Sequence, residues 1–260
     1  MRQPTQDAPP IVVALDFRDL DSALELVDLL GAQACWYKVG CQLFARYGRR
    51  AVDELIARSC KVFVDLKVNG HPKTDYALGR SIAAWRVGLV DIHVALGKES
   101  ISRFLEGLGH AESRPKVVGV TVLTSHANVL HFGVNESRRD IVLRLASIAR
   151  ESGLDGVVAA ASDVRDIKDH LGKDFLVVTP GIRPSGSPTY EQRQVATPAE
   201  ATRAGANYLV VGRPVTAAPD REKALKSILD EVAGTVSASS PLGCEQVGAS
   251  SQMSMHAVSH

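Results

Sequence analysis

Short runs of apolar residues recur along the chain, separated by longer segments in which apolar and polar positions alternate with a helical period. The runs are IVVALD (11–16), CWYKVG (35–40), KVFVDLK (61–67), VDIHVA (90–95), KVVGVTVL (116–123), DGVVAA (155–160), FLVVTPG (175–181) and NYLVVG (207–212). Their length and their content of β-branched residues predict eight buried strands.

The segments between these runs predict helices. DLDSALELVDLLG (19–31) carries apolar residues at a helical period, and Gly31 marks its end; these residues are Leu20, Ala23, Leu24, Val27 and Leu30. Comparable segments begin at residues 49, 74, 138, 161, 197 and 221. Alternating strands and helices predict parallel pairing through βαβ units, so we expect an α/β protein with a (β/α)8 TIM barrel. A doubly wound open sheet is the alternative, but no G-x-G-x-x-G follows the first strand.

The pattern also predicts the boundaries of the domain. Residues 1–10 are expected to be a flexible N-terminus, and residues 11–233 form the barrel, which is the catalytic domain. From residue 234 to residue 260 the sequence is rich in Ser and Gly without a period, which predicts a disordered tail.

Composition narrows the classes of partner. The chain has 260 residues, 45% of them hydrophobic, which suits one barrel with one large core. A formal net charge of +1 gives no field that would attract nucleic acid or an anionic membrane, and no run reaches the ~18 apolar residues of a membrane span. The four cysteines show neither zinc-ligand spacing nor a C-x-x-C motif, which suits a reducing compartment. We therefore expect a cytoplasmic protein that binds neither nucleic acid nor membrane.

Polar residues stand where the predicted strands end, which is the end of a barrel that carries chemistry. In chain order they are Asp16, Lys38, Asp65, Lys67, His93, Thr124 and Ser125. Side chains alternate along a strand, so Asp65 and Lys67 should face the same side and be able to pair with each other and with Lys38. These charges either lie beside a substrate or form an ion pair that fills the polar top layer of the barrel, and the triplet alone leaves both open.

The loops after strands 7 and 8 predict a phosphate site. They are VTPGIRPSGSPTYEQRQVATP (178–198) and VVGRPVT (210–216). Barrels often bind phosphate in these loops through backbone N–H groups exposed by glycine and through a charged side chain. Gly181, Gly212 and Arg213 fit that description.

These stretches together resemble bacterial orotidine 5'-phosphate decarboxylases over about residues 11–233. The matching segments, in order, are VALDF, YKVG, VFVDLK, VTVLTS, GLDGVV, TPGIRPSGS, EQRQVATP and VGRPVT. The resemblance implies a homodimeric barrel with sites near the interface, which removes CO2 from C6 of orotidine 5'-phosphate to give UMP. It implies no cofactor, and we expect no metal site.

The resemblance also implies roles for charged residues at the ends of strands 1 to 3. Asp16 would hold the ribose hydroxyls, and Lys38 would bind the ribose and orient Asp65. Asp65 would lie against the substrate carboxylate, while Lys67 would stabilise the C6 carbanion and deliver its proton. This fits the chemistry, because decarboxylation leaves an electron pair in the plane of the ring, and a site without a metal needs a preplaced cation.

Further residues are implied to bind the substrate. Thr124 and Ser125 would contact the pyrimidine edge, and Gln192 would bridge the base and the phosphate. The remaining members of the implied set lie in the loops after strands 7 and 8, where Arg213 would bind the phosphate: Arg183, Gly212 and Arg213.

One segment departs from the family pattern, which reads D-x-K-x-x-D followed by I-P-x-T. Here Gly70 and His71 replace the second aspartate and the isoleucine. In the family that aspartate reaches across the dimer interface to the neighbouring ribose and to the catalytic lysine. Three hypotheses remain: a working decarboxylase, a divergent enzyme acting on a related nucleotide or sugar phosphate, and a nucleotide-binding protein that has lost catalysis. From the sequence alone, Gly70→Asp is expected to raise decarboxylation.

Overall fold

The eight predicted strands form a closed barrel in which each strand pairs in parallel with its neighbours in chain order and β8 pairs with β1. The structure is a computed structural model that describes residues 10–109, 114–123, 136–188 and 194–239. The strands are β1 (Ile11–Ala14), β2 (Trp36–Gly40), β3 (Lys61–Val68), β4 (Leu89–His93), β5 (Lys116–Val120), β6 (Gly156–Val158), β7 (Leu176–Thr179) and β8 (Tyr208–Val211). The prediction of a (β/α)8 barrel is confirmed.

Helices connect the strands on the outside of the barrel. They are α1 (Leu20–Leu30), α2 (Cys41–Tyr47), α3 (Arg49–Ala57), α4 (Pro72–Ala83), α5 (Lys98–Leu108), α6 (Arg138–Glu151), α7 (Ala161–Leu171), α8 (Pro198–Ala204), α9 (Arg213–Thr216) and α10 (Arg221–Ser239). Local sequence fixes several of their ends. The side chain of Asp19 accepts a hydrogen bond from the backbone N–H of Ser22 at 2.7 Å to start α1, and a capping box of Thr197 and Glu200 starts α8.

Three helices were not among the predicted segments. Helix α5 has the required periodicity, with Ile101, Phe104 and Leu108 buried on one face, so its signal was present in the sequence. Helices α2 and α9 are only seven and four residues long, too short for a periodic pattern to mark them.

The predicted start of the C-terminal tail at residue 234 is wrong, because α10 continues to Ser239. Leu225, Ile228 and Val232 anchor this helix against the core, and no proline follows before Pro241, so the helix propagates into the small polar residues. The rest of the predicted tail, residues 240–260, and residues 1–9 of the predicted N-terminus lie outside the described residues.

Apolar side chains fill both faces of the sheet. Inside the barrel, alternate strand residues meet in a compact cluster that includes Val12, Trp36, Phe63 and Leu89. The other strand residues pack outward against the helices in a larger core. A barrel filled from within exposes its chemistry only at its ends, and the polar side chains predicted above stand at the carboxyl end of the strands. Within the described residues, no helix is both long and apolar enough to cross a membrane.

Candidate active site

An irregularity in β3 shapes the site. Phe63 and Val64 pair with Leu89 and Val90 of β4, but the next pair joins Val68 to Ile92, so β3 has two extra residues in this interval. Lys67 lies in this bulge with a φ of +54°, in the left-handed region that residues other than glycine rarely adopt. Bulges and strained backbone of this kind are frequent at functional sites, where they direct a side chain.

Five side chains at this end of the barrel form a row of alternating charges across β1 to β4. Lys38 Nζ lies 3.0 Å from Asp16 Oδ1 and 3.1 Å from Asp65 Oδ2. The other oxygen of Asp65 accepts a hydrogen bond from Lys67 Nζ, which also lies 3.0 Å from Asp91 Oδ2. The pairing of Asp65 with Lys67 and Lys38 expected from the sequence is therefore present, and Asp91 extends it.

Burial differs along the row and is complete at its β4 end. The side chain of Asp16 is 57% exposed, those of Lys38 and Asp65 are 10% and 12% exposed, and that of Asp91 is 0% exposed. Lys67 keeps 32% of its side chain exposed, so its ammonium is held by carboxylates and still reaches the solvent. Charges placed in this way retain strong fields, because little water screens them.

Two titratable groups in β4 respond to this environment. Burial raises the pKa of the Asp91 carboxyl above its usual value, while the ammonium of Lys67 opposes the rise. Burial lowers the pKa of His93, and the positive charge of Lys67 lowers it further. His93 therefore favours its neutral form beside the row of charges.

A cavity of about 490 Å³ opens above the row. Its floor is apolar, with Phe63, Val120, Val158 and Val210, while charged side chains stand around its rim. A cavity of this size, with an apolar floor and several convergent charged groups, is suited to a small organic ligand that carries charge.

The loop after β7 is fixed at its base. Gly181 has a φ of +78°, a conformation that glycine adopts without strain, and its carbonyl accepts a hydrogen bond from the N–H of Ala196 at 3.3 Å. The N–H of Arg183 donates to the carbonyl of Ala196 at 2.8 Å. These bonds hold the start of the loop against its end and place Arg183 at the cavity.

Most of the residues predicted for the site line this one cavity. They are Asp16, Lys38, Asp65, Lys67, Arg183, Gly212 and Arg213, together with Gly181. Thr124, Ser125 and Gln192 lie outside the described residues. Gly70 and His71 are not among the residues that line the cavity. His71 instead caps α4, where its Nδ1 accepts a hydrogen bond from the N–H of Lys73 at 3.4 Å.

Asp91 belongs to the site but is not among the residues predicted from the sequence. The signal available was a single carboxylate in the middle of an otherwise apolar strand, LVDIH, two residues before His93 on the same face. Its contact with Lys67 depends on the bulge in β3, which the sequence does not indicate. Within the described residues, no three His, Cys, Asp or Glu side chains are grouped so that they could share a metal ion.

The closed barrel and its charged cavity define a (β/α)8-barrel protein whose site, at the carboxyl ends of the strands, can take a small anionic ligand. The chain belongs to the orotidine 5'-phosphate decarboxylase / HUMPS family, whose model matches residues 9–228.

Individual relatives agree with this assignment. The chain is 41% identical over 223 residues to the orotidine 5'-phosphate decarboxylase of Vibrio cholerae, an alignment that covers 85% of this chain and 96% of the relative. It is 40% identical over 230 residues to the enzyme of the same name from Hydrogenovibrio crunogenus, covering 88% and 98%. Among solved structures, the orotidine 5'-phosphate decarboxylase of Lactobacillus acidophilus superposes with a TM-score of 0.76 at 31% identity, covering 86% of this chain and 99% of that one.

Proposed function

We propose that this chain is a cofactor-independent orotidine 5'-phosphate decarboxylase, which converts orotidine 5'-phosphate to UMP and CO2 in pyrimidine biosynthesis. The observation that carries the proposal is that the Lys67 ammonium, held between Asp65 and Asp91, lines the same cavity as Arg213. The names of the relatives support the choice of substrate.

Different parts of the cavity would bind the phosphate, the ribose and the base of the substrate. Arg213, at the start of α9, and the backbone of Gly212 would hold the phosphate, with Arg183 beside them on the β7 side. Asp16 and Lys38 would hold the ribose, and the base would then lie over Lys67. Contacts to the phosphate are remote from the reacting carbon, so their binding energy can offset the cost of placing a substrate carboxylate next to Asp65.

The reaction then needs only this chain's own groups. The bond between C6 and the carboxylate carbon breaks, CO2 leaves, and the electron pair stays on C6. The ammonium of Lys67 stabilises that developing charge and donates its proton to C6, which leaves a neutral amine that regains a proton from solvent. Asp65 accepts a hydrogen bond from Lys67, so it fixes the direction of the ammonium as well as crowding the substrate carboxylate.

The resemblance also supports a homodimer in the cytoplasm, with the two sites near the subunit interface. Sedimentation of the purified chain tests the assembly state: a mass of one chain would contradict the dimer without bearing on the chemistry.

The proposed activity is tested by following the absorbance of orotidine 5'-phosphate on addition of the purified protein. We expect absorbance to be lost as UMP forms. Tight binding of UMP without turnover would instead indicate a nucleotide-binding protein that has lost catalysis. Failure to bind either nucleotide would indicate a divergent enzyme with another phosphorylated substrate.

A further inference from the structure

Asp91 commits both of its carboxylate oxygens to a single residue, Lys67. Oδ1 accepts a hydrogen bond from the backbone N–H of Lys67 at 3.0 Å, and Oδ2 accepts one from Lys67 Nζ, also at 3.0 Å. The carboxylate thus binds the main chain of the bulge and the end of the side chain that it carries. Neither the pairs of Lys38 with Asp16 and Asp65 nor the pair of Asp65 with Lys67 has this two-point arrangement.

The position of Asp91 separates it from the ligand. Its side chain points into the barrel from β4, in the same row as Leu89, and it is completely buried. It does not line the cavity, whereas Asp65 and Lys67 do. Asp91 therefore acts on a ligand only through Lys67.

Burying a carboxylate completely is costly, and an apolar side chain of similar size often serves stability as well as a buried ion pair does. Leu89 and Val118 show that neighbouring interior positions of the barrel are filled by apolar side chains. Packing alone therefore does not account for a carboxylate at this buried position. Its contact with Lys67 does.

The conformation of Lys67 gives that reason. With a φ of +54°, its backbone is in a region that costs free energy for a residue with a side chain, and it persists only where surrounding contacts hold it. The bond from its N–H to Asp91 fixes the backbone, and the bond from Nζ fixes the end of the side chain.

We propose that Asp91 is the positioning residue of Lys67: it holds the ammonium at the cavity from behind, while Asp65 holds it from the side of the ligand. This inference rests on the proposed decarboxylase function for its kinetic consequences. Lys67 therefore has two carboxylate partners, Asp65 and Asp91 of the same chain, although position 70 carries glycine.

Asp91→Asn is the first test, because asparagine keeps the shape of the side chain. Its Oδ1 can still accept from the Lys67 N–H, but its amide nitrogen would face the ammonium and could not accept from it. We expect kcat for orotidine 5'-phosphate to fall about 100-fold, as for a misplaced reacting group, with Kd for UMP changed less than about threefold. Asp91→Ala removes both bonds and should lower kcat further.

Asp155→Asn is the matched control. Asp155 is also a largely buried carboxylate held by two cations, Arg114 and Lys116, but it lies at the opposite end of the barrel, just before β6. The Asp155→Asn variant should have a lower Tm than the wild-type chain and the same kcat at temperatures where it is folded. Equal losses of kcat in Asp91→Asn and Asp155→Asn would overturn the positioning role, because a general loss of stability would then explain both.

A second readout does not need turnover. Reductive methylation of native protein, followed by mass spectrometry of its peptides, reports the reactivity of each lysine. Removing the buried anion should leave the ammonium of Lys67 paired with Asp65 alone and give the reagent freer access to it, so Lys67 should be methylated several-fold faster in Asp91→Asn while Lys61 is unchanged. An unchanged rate at Lys67 would overturn the inference, even if the wild-type chain proved not to be a decarboxylase.

If Asp91→Asn does not fold, Lys67→Met replaces it in the test. That variant leaves the Asp91 carboxylate buried without its ammonium, so its Tm should fall, and adding Asp91→Asn should restore it. A Tm for Lys67→Met equal to that of the wild-type chain would show that the two residues are not coupled and would contradict the inference.

Discussion

The carboxylate of Asp75 occupies the space that a side chain at position 70 would need. A Cβ atom added to Gly70 would lie closer to Asp75 Oδ1 than van der Waals contact allows, and 3.3 Å from its Cγ. Asp75, in the first turn of α4, is 1% exposed, so its side chain has little room to move. The buried side chain of Asp75 can therefore be accommodated only because position 70 carries glycine.

This relationship changes the expected effect of restoring an aspartate at position 70. The family pattern alone predicts a gain in decarboxylation, whereas the packing predicts a loss, since Gly70→Asp would collide with Asp75 and place two carboxylates together. At an effective dielectric near 20, like charges ~4 Å apart repel by about 4 kcal/mol. We expect a lower Tm and no rise in kcat, measured by thermal unfolding and by the absorbance assay.

The double variant Gly70→Asp, Asp75→Ala is the control for that prediction, because it removes the obstructing carboxylate. Its Tm should recover part of the loss seen in Gly70→Asp. A higher kcat in Gly70→Asp alone would show that the side chain of Asp75 moves aside freely, contrary to the packing.

Asp75 should make the protein less stable as pH rises. Burial raises the pKa of Asp75, while the hydroxyl of Ser100 and the N–H of Gly70 oppose the rise. That opposition is weak, because neither Asp75 oxygen has a partner of good hydrogen-bond geometry among the described residues. The folded state thus binds the proton more tightly than the unfolded state, so stability is lost as pH rises from the unfolded pKa of 3.8 through the folded pKa. Asp75→Asn should raise the Tm at pH 7, and this gain should shrink as pH falls towards 4. A lower Tm at pH 7 would contradict it.

Asp155 should have the opposite dependence. Although burial alone would raise its pKa, hydrogen bonds from Arg114, from the N–H of Val117 and from Lys116 lower it below the usual value. Its contribution to stability is then present above pH 3.8 and is lost as pH falls through the folded pKa. Asp155→Asn should destabilise the chain by about 2 kcal/mol at neutral pH, measured by urea unfolding, with a smaller difference in acid. A difference that grows in acid would refute this assignment.

Arg213 should matter for affinity more than for the chemical step. If its guanidinium binds the phosphate, Arg213→Ala should raise KM for orotidine 5'-phosphate about 10- to 100-fold, the value of one or two charge-assisted hydrogen bonds. The affinity for UMP should fall in parallel, measured by calorimetry. Arg139→Ala is the control, since Arg139 pairs with Asp166 on exposed helices away from the cavity, and it should leave both values unchanged. If Arg213→Ala bound UMP with the affinity of the wild-type chain, Arg213 would not be the residue that binds the phosphate.

The barrel could be predicted from the sequence because its signals are local. Each strand is a short apolar run, and α1 carries its own cap at Asp19 and its own end at Gly31. The end of α10 could not, because helix propagation past residue 234 depends on the packing of Leu225, Ile228 and Val232 several residues earlier.

The site could be predicted in part for the same reason. Asp65 and Lys67 stand two residues apart, so simple alternation brings them together, and this pairing is present. Alternation along a regular strand does not fully explain this pairing, because Lys67 lies in a bulge and has a positive φ. The contact of Lys67 with Asp91 and the collision of position 70 with Asp75 both arise from the register between elements, which no single stretch of sequence encodes.

The role of Lys67 is tested most directly by comparing the wild-type chain with Lys67→Ala for loss of orotidine 5'-phosphate and, separately, for binding of UMP. We expect the wild-type chain to decarboxylate the nucleotide, and Lys67→Ala to lose at least ~10³-fold in kcat while Arg213 still holds UMP. Turnover by Lys67→Ala at the wild-type rate would contradict this expectation, because the proton and the stabilising charge would then come from another group.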